Sequence, residues 1–153
     1  ESVVQRFDLV LIDFPDPNSF SLGKLYTTRF YRLLRERLNP EVRICIQCTS
    51  PFLSRKAYWC IVRTMEAAGF YVRPFHASVP SFGDWGFALA SLSEFDVPER
   101  LAGDVRDKLR FLNDGTLPGM FSLPADLSAI DVEINRLDNQ ALVRYYEDDV
   151  GAG

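Results

Sequence analysis

Two carboxylates, Asp13 and Asp16, end the stretch LVLIDFPDP (9–17), interleaved with Pro15 and Pro17 directly after four apolar residues. The prolines lack backbone donors and restrict Phe14 and Asp16 to extended conformations, so the chain leaves the apolar run stiffly and projects both carboxylates at a fixed separation. In an open parallel sheet ligands sit outside the carboxyl ends of the strands, and Asp13 lies at that end of the first one. The plainer readings stay open here: Asp13 capping a helix or pairing with an arginine, and Asp16 marking a turn.

Other chemistry-bearing residues are sparse. Cys45 and Cys48 form a C-x-x-C inside RICIQCTS, with no second pair and no histidine cluster to complete a metal site, so the thiols are read as small core hydrophobes and no metal is expected. Gln47, near the end of the same run, either faces a cleft or is satisfied by backbone. His76, the single histidine, lies among alternating residues and is given no catalytic part; Trp59 and Trp85 are read as core, and Arg29, Arg32, Arg35 and Arg37 as a solvated helix face.

The elements that must position these residues follow from periodicity. Residues 7–13 are a short apolar run expected of a strand covered on both faces, and 24–38 carry Tyr26, Phe30, Leu33, Leu34 and Leu38 at helical spacing. A second unit repeats this order: a strand over 42–48, then a helix with Ser50 as N-cap, Pro51 at its first position and Gly69 as its stop. Strands over 70–79 and 85–91 follow, joined by a loop, PSFGD, able to turn the last one antiparallel. The pattern is an α/β sheet. Beyond Leu92 the chain predicts a helix over 97–113, a stretch broken by Gly and Pro, and a segment, 132–149, readable as strand or helix.

At 153 residues, 47% hydrophobic and 25% charged, the chain suits one domain with a sizeable core. A net charge of −4 supplies no basic field, so neither nucleic acid nor an anionic membrane is an expected partner. No run reaches the ~20 apolar residues that span a bilayer. Three cysteines without a secretory signal point to reduced thiols and a cytoplasmic setting, and the start, ESVVQRFDLV, without an initiator Met, reads as that of an excised piece.

With these residues in view, LVLIDFPDP resembles the D-x-x-D-P segment of the spermidine synthases, the polyamine aminopropyltransferases. LYTTRFYRLLRERLNP resembles the helix after it, CIQCTSPF the next strand and its Gln-bearing loop, and VPSFGDWGFALAS the hairpin that closes the sheet. EINRLDNQALVRYYEDD is similar to the tail of the bacterial branch in which this domain is fused to a multi-pass membrane segment, which would tether a cytoplasmic domain to the inner face of a membrane. The resemblance implies a partial Rossmann-like, class I methyltransferase-like α/β sheet. Residues 1–92 would hold strands four to seven, the last antiparallel, and 93–153 an irregular, α-containing extension packed on it.

It also implies a chemistry. In the family an amine, usually putrescine, displaces methylthioadenosine from the aminopropyl carbon of decarboxylated S-adenosylmethionine, which acts as co-substrate. Asp13 matches the general base and Asp16 the carboxylate that holds the amine. Phe82 falls on a family tyrosine lining the amine site and retains an aromatic wall without the hydroxyl; Gln47 would line the same site, and Pro17 would lie on the co-substrate side. A Gly-rich turn after the first strand, and an acidic residue about 20 positions later, are absent, so the resemblance makes the chain begin near the fourth strand with most of the adenosine site upstream. An apolar first strand without Lys or Pro in LVLID then predicts self-association into a homo-oligomer, and no activity for the chain alone. A methyltransferase fragment and a non-enzymatic assembly module remain alternatives, because fold alone does not separate them.

Overall fold

The computed structural model describes residues 5–151. Four strands, β1 (Phe7–Ile12), β2 (Leu38–Gln47), β3 (Tyr71–Val79) and β4 (Gly83–Ser91), form one mixed sheet in the order β1-β2-β4-β3. β1 runs parallel to β2, whereas β4 is antiparallel to both β2 and β3, so the last strand reverses between two strands of common direction. The PSFGD loop makes that reversal possible: Ser81 and Gly83 take left-handed backbone at φ 83° and 81°.

Alternation divides the sheet into two faces. Ile44, Ile46, Ala88 and Ala90 are fully buried with Val72 and Ile12 on the face covered by α3 (Arg55–Ala67), whose Tyr58, Ile61, Val62 and Met65 complete the core. The helix stops where expected, at Gly69, φ +93°. Its start differs from expectation. Ser50 does not cap it: the Ser50 hydroxyl accepts from Leu53 N at 3.3 Å and donates to the Asp84 carbonyl at 2.6 Å, closing a separate turn over 51–53 before the helix begins at Arg55.

The helix expected over 24–38 is three pieces: α1 (Phe20–Gly23), a 3₁₀ turn (Lys24–Tyr26) and α2 (Thr28–Arg35). Thr27, extended at φ −89° and ψ 159°, breaks the run and caps α2 by accepting from Phe30 N at 3.3 Å. β2 also starts earlier than expected. Its first residues pair with β1 through an irregular register, Phe7↔Leu38 but Leu9↔Arg43, where Pro40 cannot donate to the ladder.

The segment after Leu92 departs most. Instead of a helix over 97–113 there is one turn, α4 (Gly103–Arg106), because Val105, Leu109 and Phe111 remain 38–54% exposed and no face of such a helix would be buried. A second short helix, α5 (Thr116–Met120), interrupts the Gly- and Pro-broken stretch. Phe121 then packs at a tilt against Phe75 at 5.1 Å, and the Arg43 and Arg73 guanidiniums sit over the Phe95 ring at 5.1 and 5.5 Å, which covers part of the second sheet face. Residues 132–149 split: an irregular half without strand pairing is followed by α6 (Ala141–Val150), which buries Ala141, Leu142 and Val143 against α3.

β1 is an edge strand, with Leu9 and Leu11 exposed at 63% and 74% and no charged or proline residue within Leu9–Ile12 to blunt it. The 153-residue polypeptide expressed by itself is expected to self-associate through this edge, and Leu9→Lys with Leu11→Lys to reduce that association. Sedimentation velocity checks it; a wild-type monomer at high concentration contradicts it.

Candidate active site

The carboxyl ends of β1, β2 and β3 share one side of the sheet, where open α/β sheets bind ligands. A cleft of about 490 Å³ opens there, walled by Leu11, Ile12, Cys45, Val79 and Phe87, with Asp13, Gln47, Phe82 and Trp85 along it. Asp13 is the only carboxylate among these lining residues, and its side chain is exposed at the end of an apolar strand.

The loop after β1 is held from beneath. The hydroxyl of Tyr26, a fully buried residue, donates to the carbonyls of Pro15 at 3.0 Å and Phe14 at 3.3 Å, and the Phe14 ring packs edge-on against Tyr26 and Phe30. Burial above all, and then Cys48, Asp16 and Asp13, hold the Tyr26 phenol far above its ordinary pKa, so it remains a donor at physiological pH. Asp16 is half-buried and receives the Tyr146 hydroxyl of α6 on Oδ2 at 3.0 Å. Pro17 is buried within the loop.

Gln47 lies between the loop and the hairpin. Both ends of its amide are satisfied when it donates to the Phe14 carbonyl at 3.3 Å and accepts from the Trp85 indole at 2.5 Å. The opposite orientation offers Asp16 Oδ1 only a stretched 3.5 Å contact and sets two N–H donors against each other. Gln47 thus ties the Asp13 loop to the hairpin. Trp85, read from sequence as core, is half-exposed on the cleft wall, with Phe82 edge-on at 5.7 Å and 67% exposed. Trp59, by contrast, is buried and donates to the Leu127 carbonyl at 2.9 Å.

A close backbone approach lies behind the hairpin side of the cleft, toward the core. A Cβ on Gly86 would meet the Tyr58 ring at 2.5 Å and the Thr49 carbonyl at 2.6 Å, so only glycine fits between Trp85 and Phe87. Thr49 itself is left-handed at φ 63°, just beyond the end of β2.

The remaining candidates stand apart from the cleft chemistry. Cys48 is buried in the core, Cys45 half-buried on the cleft wall, and burial raises both thiols. Among the described residues no cluster of His, Cys, Asp or Glu could hold a metal. His76 Nδ1 is 2.8 Å from Asp84 Oδ1 in a hairpin pair. Arg29, Arg32, Arg35 and Arg37 are exposed, Arg35 also donating to the Ala68 carbonyl at 3.0 Å at the end of α3.

Residues 1–99 match the model of the spermine/spermidine synthase domain. The chain belongs to that family. It is 53% identical over 143 residues to the polyamine aminopropyltransferase of Leptospira interrogans, covering 94% of this chain and 28% of the relative. It is 44% identical over 149 residues to polyamine aminopropyltransferase 2 of Ralstonia nicotianae, covering 97% and 29%. The chain therefore spans less than a third of the length of these curated relatives. Among solved structures it is similar to the spermidine synthase of Thermotoga maritima, with a TM-score of 0.64, 18% identity and coverage of 97% of this chain and 45% of that one. A spermidine synthase in complex with the transition state analogue AdoDATO gives a TM-score of 0.68 at 18% identity, covering 97% and 46%. These two likenesses bear on the fold, an α/β arrangement with a four-stranded mixed sheet.

Among the signals for site residues, Tyr146 and Trp85 carried none that pointed to the cleft. Tyr145 and Tyr146 of α6 sit three and four residues after buried Leu142, a spacing that predicts packing and not a hydrogen bond from Tyr146 to a residue 130 positions away.

Proposed function

We propose that this chain supplies the amine-binding half of an aminopropyltransferase site. The observation that carries the reading is the exposed Asp13 carboxylate at the end of an apolar strand, the one charged group in a cleft walled mainly by aliphatic and aromatic side chains with Gln47 and Cys45. A diamine entering it would be held through one ammonium by Asp16, while Asp13 removes a proton from the other nitrogen. That nitrogen then attacks the aminopropyl carbon of decarboxylated S-adenosylmethionine; a C–N bond forms, the C–S bond breaks and methylthioadenosine leaves. The apolar walls beside Asp13 strengthen its interaction with the cation. Phe82 and Trp85 present aromatic faces to the same cation.

No glycine follows β1 before Gly23, so the turn that would bring backbone against an adenosine is not at this strand. We assign the thioadenosine mainly to sequence outside this chain, with Pro17 ordering the loop on that side. The chain accounts for 45% of a solved synthase but 28% of a curated relative, so that relative carries sequence beyond the synthase unit. That the whole protein belongs to a membrane-fused branch is part of the same proposal; no helix among the described residues is long and apolar enough to cross a membrane.

Calorimetry on the full-length encoded protein tests the reading: putrescine and methylthioadenosine are both expected to bind, and failure of both supports an assembly role instead. Phe82→Ala is expected to raise the diamine KM by roughly 2- to 30-fold, the equivalent of a cation–π contact of ~0.5–2 kcal/mol, with Phe82→Tyr tolerated. An unchanged KM in a folded Phe82→Ala protein would remove Phe82 from the amine site.

A further inference from the structure

The cleft loop is gripped by two phenols from distant parts of the chain. Tyr26 holds its backbone at Phe14 and Pro15, and Tyr146 holds the side chain of Asp16, donating to Oδ2 at 3.0 Å. Neither phenol is free to wander. Asn135, fully buried, donates through Nδ2 to the carbonyls of Gly23 at 3.0 Å and Tyr26 at 3.2 Å and accepts on Oδ1 from Leu142 N at 3.2 Å. One side chain thus joins the turn that carries Tyr26 to the first turn of α6, which carries Tyr146 one turn further on. With Oδ2 occupied, the carboxylate of Asp16 keeps one rotamer and leaves Oδ1 on the side of Gln47, a residue of the cleft wall.

We infer that Tyr146 is a positioning residue for amine binding: its hydroxyl fixes the Asp16 carboxylate so that the free oxygen meets the substrate ammonium without a further ordering cost. The inference rests on the proposed role of Asp16 and adds a function for the C-terminal helix. A pre-oriented acceptor binds a cation more tightly than one that must be ordered on binding. Burial, and then the hydrogen bond and charge of Asp16, push the Tyr146 phenol up to about 12, so it is a donor throughout the neutral range.

The test is steady-state kinetics of the full-length encoded protein with putrescine and decarboxylated S-adenosylmethionine, comparing Tyr146→Phe, Asp16→Asn and the double variant. Tyr146→Phe is expected to raise the putrescine KM about five- to twentyfold, as for loss of one charge-assisted hydrogen bond, with kcat at saturating amine within about twofold. In the Asp16→Asn background it is expected to add little, because its effect passes through Asp16. An unchanged KM in Tyr146→Phe while Asp16→Asn raises it overturns the inference and leaves the proposed function standing. An equal loss in both backgrounds shows a merely structural part and also overturns it. An unchanged KM in Asp16→Asn overturns the role of Asp16 and the inference with it. If Tyr146→Phe fails to fold, 3,5-difluorotyrosine at position 146 keeps the packing with a more acidic phenol. The KM should then climb with pH earlier than in wild type, since a phenolate cannot donate; a coincident pH profile overturns the inference.

Discussion

Asp13→Asn in the full-length protein is expected to lower turnover by at least ~10²-fold with little change in co-substrate binding, as for loss of a positioned general base. The amide is nearly isosteric with the carboxylate but cannot take a proton from an ammonium. The side chain is exposed at the mouth of the cleft, so the substitution opens no cavity and the fold should persist. The loss belongs in kcat, because the proton must leave before the nitrogen can attack, whereas amine affinity depends chiefly on Asp16 and the aromatic walls. Single-turnover measurement of methylthioadenosine release separates the two. Turnover within about threefold of wild type would remove Asp13 from the base role, since that falls far below the effect a positioned base supplies.

The second large effect concerns stability. Asn135→Ala strands three buried backbone groups at once: the carbonyls of Gly23 and Tyr26, and the N–H of Leu142. Each buried group left without a partner costs about 1–3 kcal/mol, so the variant should lose about 3 kcal/mol or more. Asn135 also keeps its backbone bonds to the Thr64 hydroxyl and Thr28 N, at 2.9 and 3.1 Å, which hold its main chain in place and prevent the segment from simply moving away from the defect. Urea unfolding checks the figure. A loss below about 1 kcal/mol would mean that water or relaxation satisfies the three groups and that Asn135 does not tie the Tyr26 turn to α6. Asn135→Asp is a useful companion, since it retains the acceptor for Leu142 N but removes both donors.

What could be read from the sequence divides along the range of the interactions involved. β1 to β4 were legible because each is a short apolar run or an alternation bounded by turn residues, and the reversal of β4 because Ser81-Phe82-Gly83 had the residues for a tight turn. The position of Asp13 at a strand end followed from the same local signal. The helix over 97–113 was misread because periodicity reports that a face could be buried, not that a partner exists to bury it; Val105, Leu109 and Phe111 have none. The start of α3 was misplaced because Ser50-Pro51 looks like a helix start, yet Ser50 spends its hydroxyl on Asp84, a residue 34 positions away. Tyr146, Asn135 and the exposed side of Trp85 lay beyond reach for the same reason: their partners are set by how the C-terminal segment and the hairpin return to the sheet, information that no local pattern carries.

The central claim is that a diamine in this cleft accepts an aminopropyl group. The most direct measurement is mass spectrometry of the products formed when the full-length protein is incubated with decarboxylated S-adenosylmethionine and isotope-labelled putrescine. Labelled spermidine and methylthioadenosine in equal amounts, both abolished by Asp13→Asn, are the result expected. Unchanged putrescine with intact co-substrate, or a methylated amine formed when S-adenosylmethionine is supplied instead, would contradict it.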